Sequence, residues 1–183
     1  MGREIRRVPP NWEHPRSKCE HSPWKGGCDD AKRHGGMCFQ PLHDEPFEAA
    51  AREWKNDLAA WESGERAAYL AEHGDDLEYW EYNGEPPDRA YYRPAWSQDE
   101  ASWYQAYETV SEGTPVTPPF ETPEELIDYL ATHGDFWDQG RGDPPPSRAS
   151  CESFVRGGYA PSMTFDSATR EIKLGINALD EDR

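Results

Sequence analysis

Three of the four cysteines and four of the six histidines lie between His14 and His43. Among them, Cys19-x8-Cys28-x5-His34-x3-Cys38 sets four ligands at gaps that short loops can fold onto one ion. Thiolate sulfur and neutral imidazole both suit tetrahedral Zn²⁺, and a structural site takes four such groups with no position left open. His21 or His14 can stand in for one of the four. Gly26, Gly27, Gly35 and Gly36 supply the tight turns. Two other states use the same residues: reduced thiols in a loop, or a disulfide. The disulfide is the weaker of these, because a chain with three clustered cysteines and a distant Cys151 carries no secretion signal. No His-Glu-x-x-His pattern accompanies the cluster, so a zinc held here is structural rather than catalytic.

This spacing resembles the CCCH zinc-knuckle family over about 20 residues, with the last two ligand types exchanged. The resemblance implies binding of single-stranded RNA, with Trp24 and Phe39 stacking on bases and Lys25, Lys32 and Arg33 meeting phosphate. Asp29 and Asp30 sit in the middle of the segment and oppose phosphate.

The chain of 183 residues has 36 acidic against 19 basic side chains, a net charge of −17 and a mean hydropathy of −1.05. Leu, Ile, Val and Phe number only 22, a level that with such charge marks disordered chains. Against this stand 8 Trp, 9 Tyr and 6 Phe, and aromatic rings bury enough surface to build a core where aliphatic residues are scarce. The charge is segregated along the sequence. Residues 1–43 hold eight basic and five acidic groups, whereas residues 44–183 hold 11 and 31. The expected organisation is a basic Cys/His-rich head, 1–43, on an acidic body, 44–183, together one compact domain. An acidic body repels phosphate and anionic lipid, which makes nucleic acid an unlikely partner for it. With neither an apolar leader nor a run long enough to span a bilayer, the sequence reads as soluble and intracellular.

The elements that must hold these groups are short. The first 43 residues show neither a helical nor an alternating period, so they read as loop-rich, ordered by metal if at all. From Asp44, a candidate N-cap, Phe47, Ala50, Ala51, Trp54, Leu58 and Trp61 recur at helical spacing, and Glu65 to His73 continues as a second short helix. Residues 75–96 read as turns and extended pieces packed by rings. Ser97 and Glu100 form a capping box ahead of a helical face of Trp103, Ala106, Tyr107 and Val110. Thr122-Pro123-x-Glu125 starts another helix, Ser147 a third carrying Cys151, Phe154 and Val155, and a C-terminal hairpin joins Met163 and Phe165 to Ile172, Leu174 and Ile176. The expected fold is α+β: several short helices with an aromatic core and a small terminal hairpin. Tyr79, Trp80, Tyr82, Tyr91, Tyr92 and Trp96 are either that core or an exposed recognition surface.

VPPNWEHP (8–15), QPLHD (40–44), YETVSEGTPVTPPFETPEELIDYL (107–130) and GYAPSM (158–163) resemble a group of small tailed-bacteriophage proteins. The resemblance implies a phage-encoded protein in the cytoplasm of an infected bacterium and brings no catalytic residues with it. Three functions follow as expectations. The first is a non-enzymatic interaction protein engaging a host or phage macromolecule; the second is an acidic DNA mimic that inhibits a host nuclease or defence system; the third is RNA binding through the Cys/His knuckle. For the metal, the expected outcome is one zinc per chain in freshly purified protein and its release by Cys28→Ser, measured by elemental analysis; zinc well below one equivalent removes the site.

Overall fold

The computed structural model describes residues 2–19, 32, 34–64, 77–109, 113–165, 167 and 170–179. They fall into two compact units, one built from residues 1–41 and 96–183, the other from 42–95. The fold is α+β.

The first unit is organised around a four-stranded antiparallel sheet of order β7-β6-β1-β8, where β1 is Gly2–Val8, β6 Trp103–Glu108, β7 Thr114–Pro115 and β8 Tyr159–Pro161. The helices α3 (Pro123–His133) and α5 (Arg148–Gly157) pack on each other. Their apolar residues meet those of the sheet in one cluster: Leu126, Ile127 and Leu130 from α3, Cys151, Phe154 and Val155 from α5, and Ala106, Val116, Ala160 and Ile176 around them. Few as they are, the aliphatic residues are concentrated here. Full burial of each Leu, Ile or Phe contributes about 1.5–3 kcal/mol, so this one cluster carries most of the unit's apolar stabilisation. The helix starts conform to their sequence signals. Thr122 and Glu125 close a reciprocal capping box at α3, and the Ser147 hydroxyl accepts from the Ser150 N–H at α5. The terminal hairpin pairs β9 (Met163–Phe165) with β10 (Ile172–Leu174); Ile176 lies beyond it, buried in a 3₁₀ turn, Gly175–Leu179.

Two expectations are corrected. The segment read as aperiodic contains β1, an interior strand of the sheet, hydrogen-bonded to β6 on one side and β8 on the other. Its period was hidden because buried positions are occupied by arginine. Arg3 is buried, donating from Nε to Asp135 Oδ2 at 2.8 Å, and Arg6 is buried against Glu4 at 2.6 Å with its guanidinium over the Tyr107 ring. The second correction concerns residues 103–108. The Ser97–Glu100 box does form, with Ser97 N–H donating to Glu100 at 2.7 Å and Glu100 N–H to Ser97 at 3.2 Å, but it closes a single turn. The chain then runs as β6. Trp103, Tyr104 and Tyr107 favour a strand, and six residue pairs with β1 outweigh an ambiguous helical spacing.

In the second unit β4 (His43–Pro46) pairs with β5 (Tyr92–Arg93), and α1 (Phe47–Glu62) packs with α2 (Tyr79–Asn83). The N-cap of α1 is Pro46, not Asp44, whose carboxylate instead accepts from Arg93 Nε at 2.7 Å. The core here is aromatic: Tyr79 lies edge-on to Trp54 at 5.2 Å and to Trp61 at 5.7 Å, and Tyr82 stacks on Trp61 at 5.3 Å. The helix read over Glu65–His73 lies outside the described residues. This unit holds 14 acidic and 5 basic residues, against 22 and 14 in the first.

The Arg3–Asp135 pair gives a direct test. Asp135 also caps α4 (Phe136–Arg141), its Oδ1 accepting from Trp137 N–H at 2.7 Å and Asp138 N–H at 2.9 Å. Truncating one member of a buried pair leaves the other charge unmatched, so Arg3→Met is expected to cost about 3–5 kcal/mol in urea unfolding at neutral pH. Arg3→Met combined with Asp135→Asn, which removes the stranded charge, recovers part of that loss.

Candidate functional site

A cleft in the first unit has a volume of about 490 Å³. The rings of Trp12, Phe39, Tyr129 and Phe136 line it together with Pro118, Pro119, Val116, Thr117 and Gln105, and Glu13 and Arg16 bring charge to it. Such a volume suits a small ligand or a few side chains of a partner. Each wall is set by an element already described. β6 supplies Gln105, α3 supplies Tyr129, α4 supplies Phe136, and the short hairpin β2 (Arg16–Lys18) with β3 (Met37–Phe39) carries Phe39.

Polar groups at the base form one network centred on the Tyr107 hydroxyl. It accepts from Trp12 Nε1–H at 3.2 Å and donates to Gln105 Oε1 at 3.0 Å. Gln105 is oriented by its own Nε2–H, which donates to the Thr117 carbonyl at 2.8 Å. His14 Nδ1 is 3.2 Å from the same Tyr107 hydroxyl, and Nε2 is 2.6 Å from the Gln40 carbonyl. A carbonyl only accepts, so Nε2 carries the imidazole proton and Nδ1 of the neutral ring accepts. The neutral ring and the Gln105 amide therefore share one Tyr107 proton. Hydrogen bonding to Gln40 favours the imidazolium, but burial, aided by Arg6 and Arg16, outweighs it and brings the His14 pKa down to about 4. The hydrogen-bonded groups Trp12, His14, Gln105 and Tyr107 are thus all neutral, with the Arg6 guanidinium over the Tyr107 ring. Around it the rings continue edge to face, His14 on Phe39 at 5.5 Å and Trp12 on Trp96 at 5.1 Å, with the Arg16 guanidinium 3.7 Å from the Phe39 ring centre.

Of the sequence-predicted metal ligands, Cys28 and the substitute His21 lie outside the described residues, as does Trp24. Register on the β2–β3 hairpin pairs Ser17 with Cys38, and Cys19 N–H donates to the Gly36 carbonyl at 2.9 Å two pairs further on, beyond Lys18 with Met37. Cys19 and Cys38 consequently sit diagonally on one face of the ladder. His34 opens the turn between them, its carbonyl accepting from Met37 N–H at 3.1 Å. Among the described residues, no three His, Cys, Asp or Glu side chains converge as a metal site. The substitute His14 has its two nitrogens on Gln40 and Tyr107 instead.

The aromatic residues singled out as core or surface divide between the two. Tyr79 is buried, Tyr92 is half-buried against His43 at 4.8 Å, and Trp96 is half-buried on Trp12. Trp80, Tyr82 and Tyr91 are exposed. The sequence did not flag Trp12, Gln105, Tyr107, Tyr129 or Phe136 as a site. One signal was present: Trp12 and His14 stand two residues apart in VPPNWEHP, and both reach the same hydroxyl. No helix among the described residues is long and apolar enough to cross a membrane. Compared with protein-family models, curated proteins and solved structures, the chain matches none.

A pH dependence follows from His14. Its folded pKa is depressed from 6.5 to about 4, so between these values the unfolded chain binds a proton that the fold does not, and stability falls as pH falls through that window. The loss from this group is about 2 kcal/mol between pH 6.5 and 5. In urea unfolding at these two pH values, His14→Asn is expected to lose that part of the slope; equal slopes for the two proteins contradict the assignment.

Proposed function

We propose that the protein is a non-enzymatic interaction protein, encoded by a tailed bacteriophage and acting in the infected cell, that engages a host or phage macromolecule through the Trp12–Phe39–Phe136 cleft. One observation carries this: four aromatic rings and the Pro118-Pro119 pair line the cleft, while Trp12 Nε1, Tyr107, Gln105 and Thr117 are tied to one another by hydrogen bonds. A preorganised apolar cavity with rigid aromatic walls binds by excluding water and loses little side-chain entropy in doing so. Trp12 and Tyr129 are residue types that dominate the energetics of such contacts.

The charge of −17 supports a second function, mimicry of DNA toward a basic groove, and the second unit is where acidic groups most outnumber basic ones. One experiment separates the two. A photo-crosslinking residue is placed at Glu13, exposed on the cleft, or at Glu53, exposed on α1. In extract from infected cells, the cleft function predicts one dominant adduct from position 13 that survives high salt, with none from position 53. Salt-sensitive adducts from position 53 to nucleic-acid enzymes favour the mimic. Equal labelling from both positions contradicts the cleft.

A further inference from the structure

We infer that the outward face of the β9–β10 hairpin is the surface through which two copies of this chain associate. Register pairs Met163 with Leu174 and Phe165 with Ile172, on either side of Thr164 with Lys173. Side chains alternate across a strand, so the four apolar residues share one face and Thr164 and Lys173 take the other. That apolar face is turned to solvent: Met163, Phe165, Ile172 and Leu174 are 63%, 62%, 61% and 45% exposed. The hairpin rests on the 3₁₀ turn Gly175–Leu179, while the core residue Ile176 of that turn faces the helices. An isolated two-stranded hairpin is marginal in water unless its apolar face is packed. This one has it uncovered.

Two features select a second copy as the cover, and a third is compatible with it. The first is area. The four side chains offer on the order of 500 Å² per chain, so two faces reach about 1,000 Å², the lower bound for a specific interface. The second is symmetry. An antiparallel two-stranded ribbon has an approximate two-fold axis through its centre, here between Thr164 and Lys173, which exchanges the two apolar cross-strand pairs. Two such ribbons stacked face to face form a four-stranded, two-layer sandwich with an isologous contact. The third is charge. Two chains of −17 repel each other, and this face joins them without burying an ionised group.

The test is the mass of the full chain in solution, by light scattering or sedimentation from low to high micromolar concentration, in low and high salt. The expected mass is twice the 20.9 kDa of one chain, and association is tighter in high salt, which screens the repulsion and leaves apolar contact intact. Phe165→Asp with Ile172→Asp returns the mass to that of one chain, with an unchanged circular dichroism spectrum because both side chains are exposed. Thr164→Asp, on the opposite face, retains the doubled mass. A single-chain mass throughout, a dimer that survives the double substitution, or one that salt dissolves overturns the inference. So does protection of the hairpin amides from exchange only when another macromolecule is added.

Discussion

A guanidinium on the first strand and a carboxylate at the start of α4 meet at 2.8 Å with almost no solvent around either. Neither charge is tolerable at that depth without the other, since the cost of stripping water from one ion is several kcal/mol and only a close, hydrogen-bonded partner offsets it. The pair thus makes β1 and α4 conditional on each other across 132 residues of sequence. Its second half extends the constraint. Asp138 folds back to accept from the Asp135 N–H at 3.0 Å, and Arg141 reaches Asp138 Oδ1 at 2.7 Å. Burial and the neighbouring Asp135 raise the Asp138 pKa, with Arg141 and Arg3 acting in the opposite direction. Gly134 is needed at the entrance to this turn. Its φ is +72°, and a Cβ there would lie 2.7 Å from the Asp138 Cβ.

The cleft is downstream of that constraint. α4, fixed by the Asp135 cap, delivers Phe136 to one wall, and β1, fixed by Arg3, holds β6 in the register that brings Gln105 and Tyr107 under Trp12 and His14. The same pairing changes the meaning of the charge pattern. A sequence that divides into a basic start and an acidic remainder folds so that the early arginines are spent inside the first unit. Arg3 goes to Asp135, Arg6 to Glu4, Arg7 to the carbonyls of Ala101 and Ser102, and Arg16 lies over Phe39. In sequence these residues are half of the basic groups of the head; in the fold Arg3 and Arg6 are buried cations of the first strand, while Arg7 stays exposed and Arg16 half-buried.

What could be read from the sequence was whatever local chemistry specifies. The α3 capping box, the Ser147 start of α5 with Cys151, Phe154 and Val155 inward, the helical period of α1 and the Met163–Leu174 hairpin are all signals carried within one element. What escaped depends on partners distant in sequence. β1 reads as polar because two of its buried positions are arginines, Arg3 matched by Asp135 far along the chain and Arg6 packed against the Tyr107 ring with its charge on Glu4. β6 carries a helical spacing that pairing with β1 overrides, even though its capping box forms. The cleft draws on β2–β3, β6, α3 and α4 at once, and only the Trp12–His14 spacing hinted at it.

Residues 2–8 are the interior strand on which the first unit's sheet is built, with β6 on one side and β8 on the other. Native-state hydrogen exchange tests this most directly. The amides of β1 that are paired within the sheet, from Arg3 to Val8, are predicted to exchange only by global unfolding, at the same free energy as those of Leu126 to Leu130 in α3. Exchange of the β1 amides at loop-like rates while α3 stays protected would show that β1 is not part of the cooperative core.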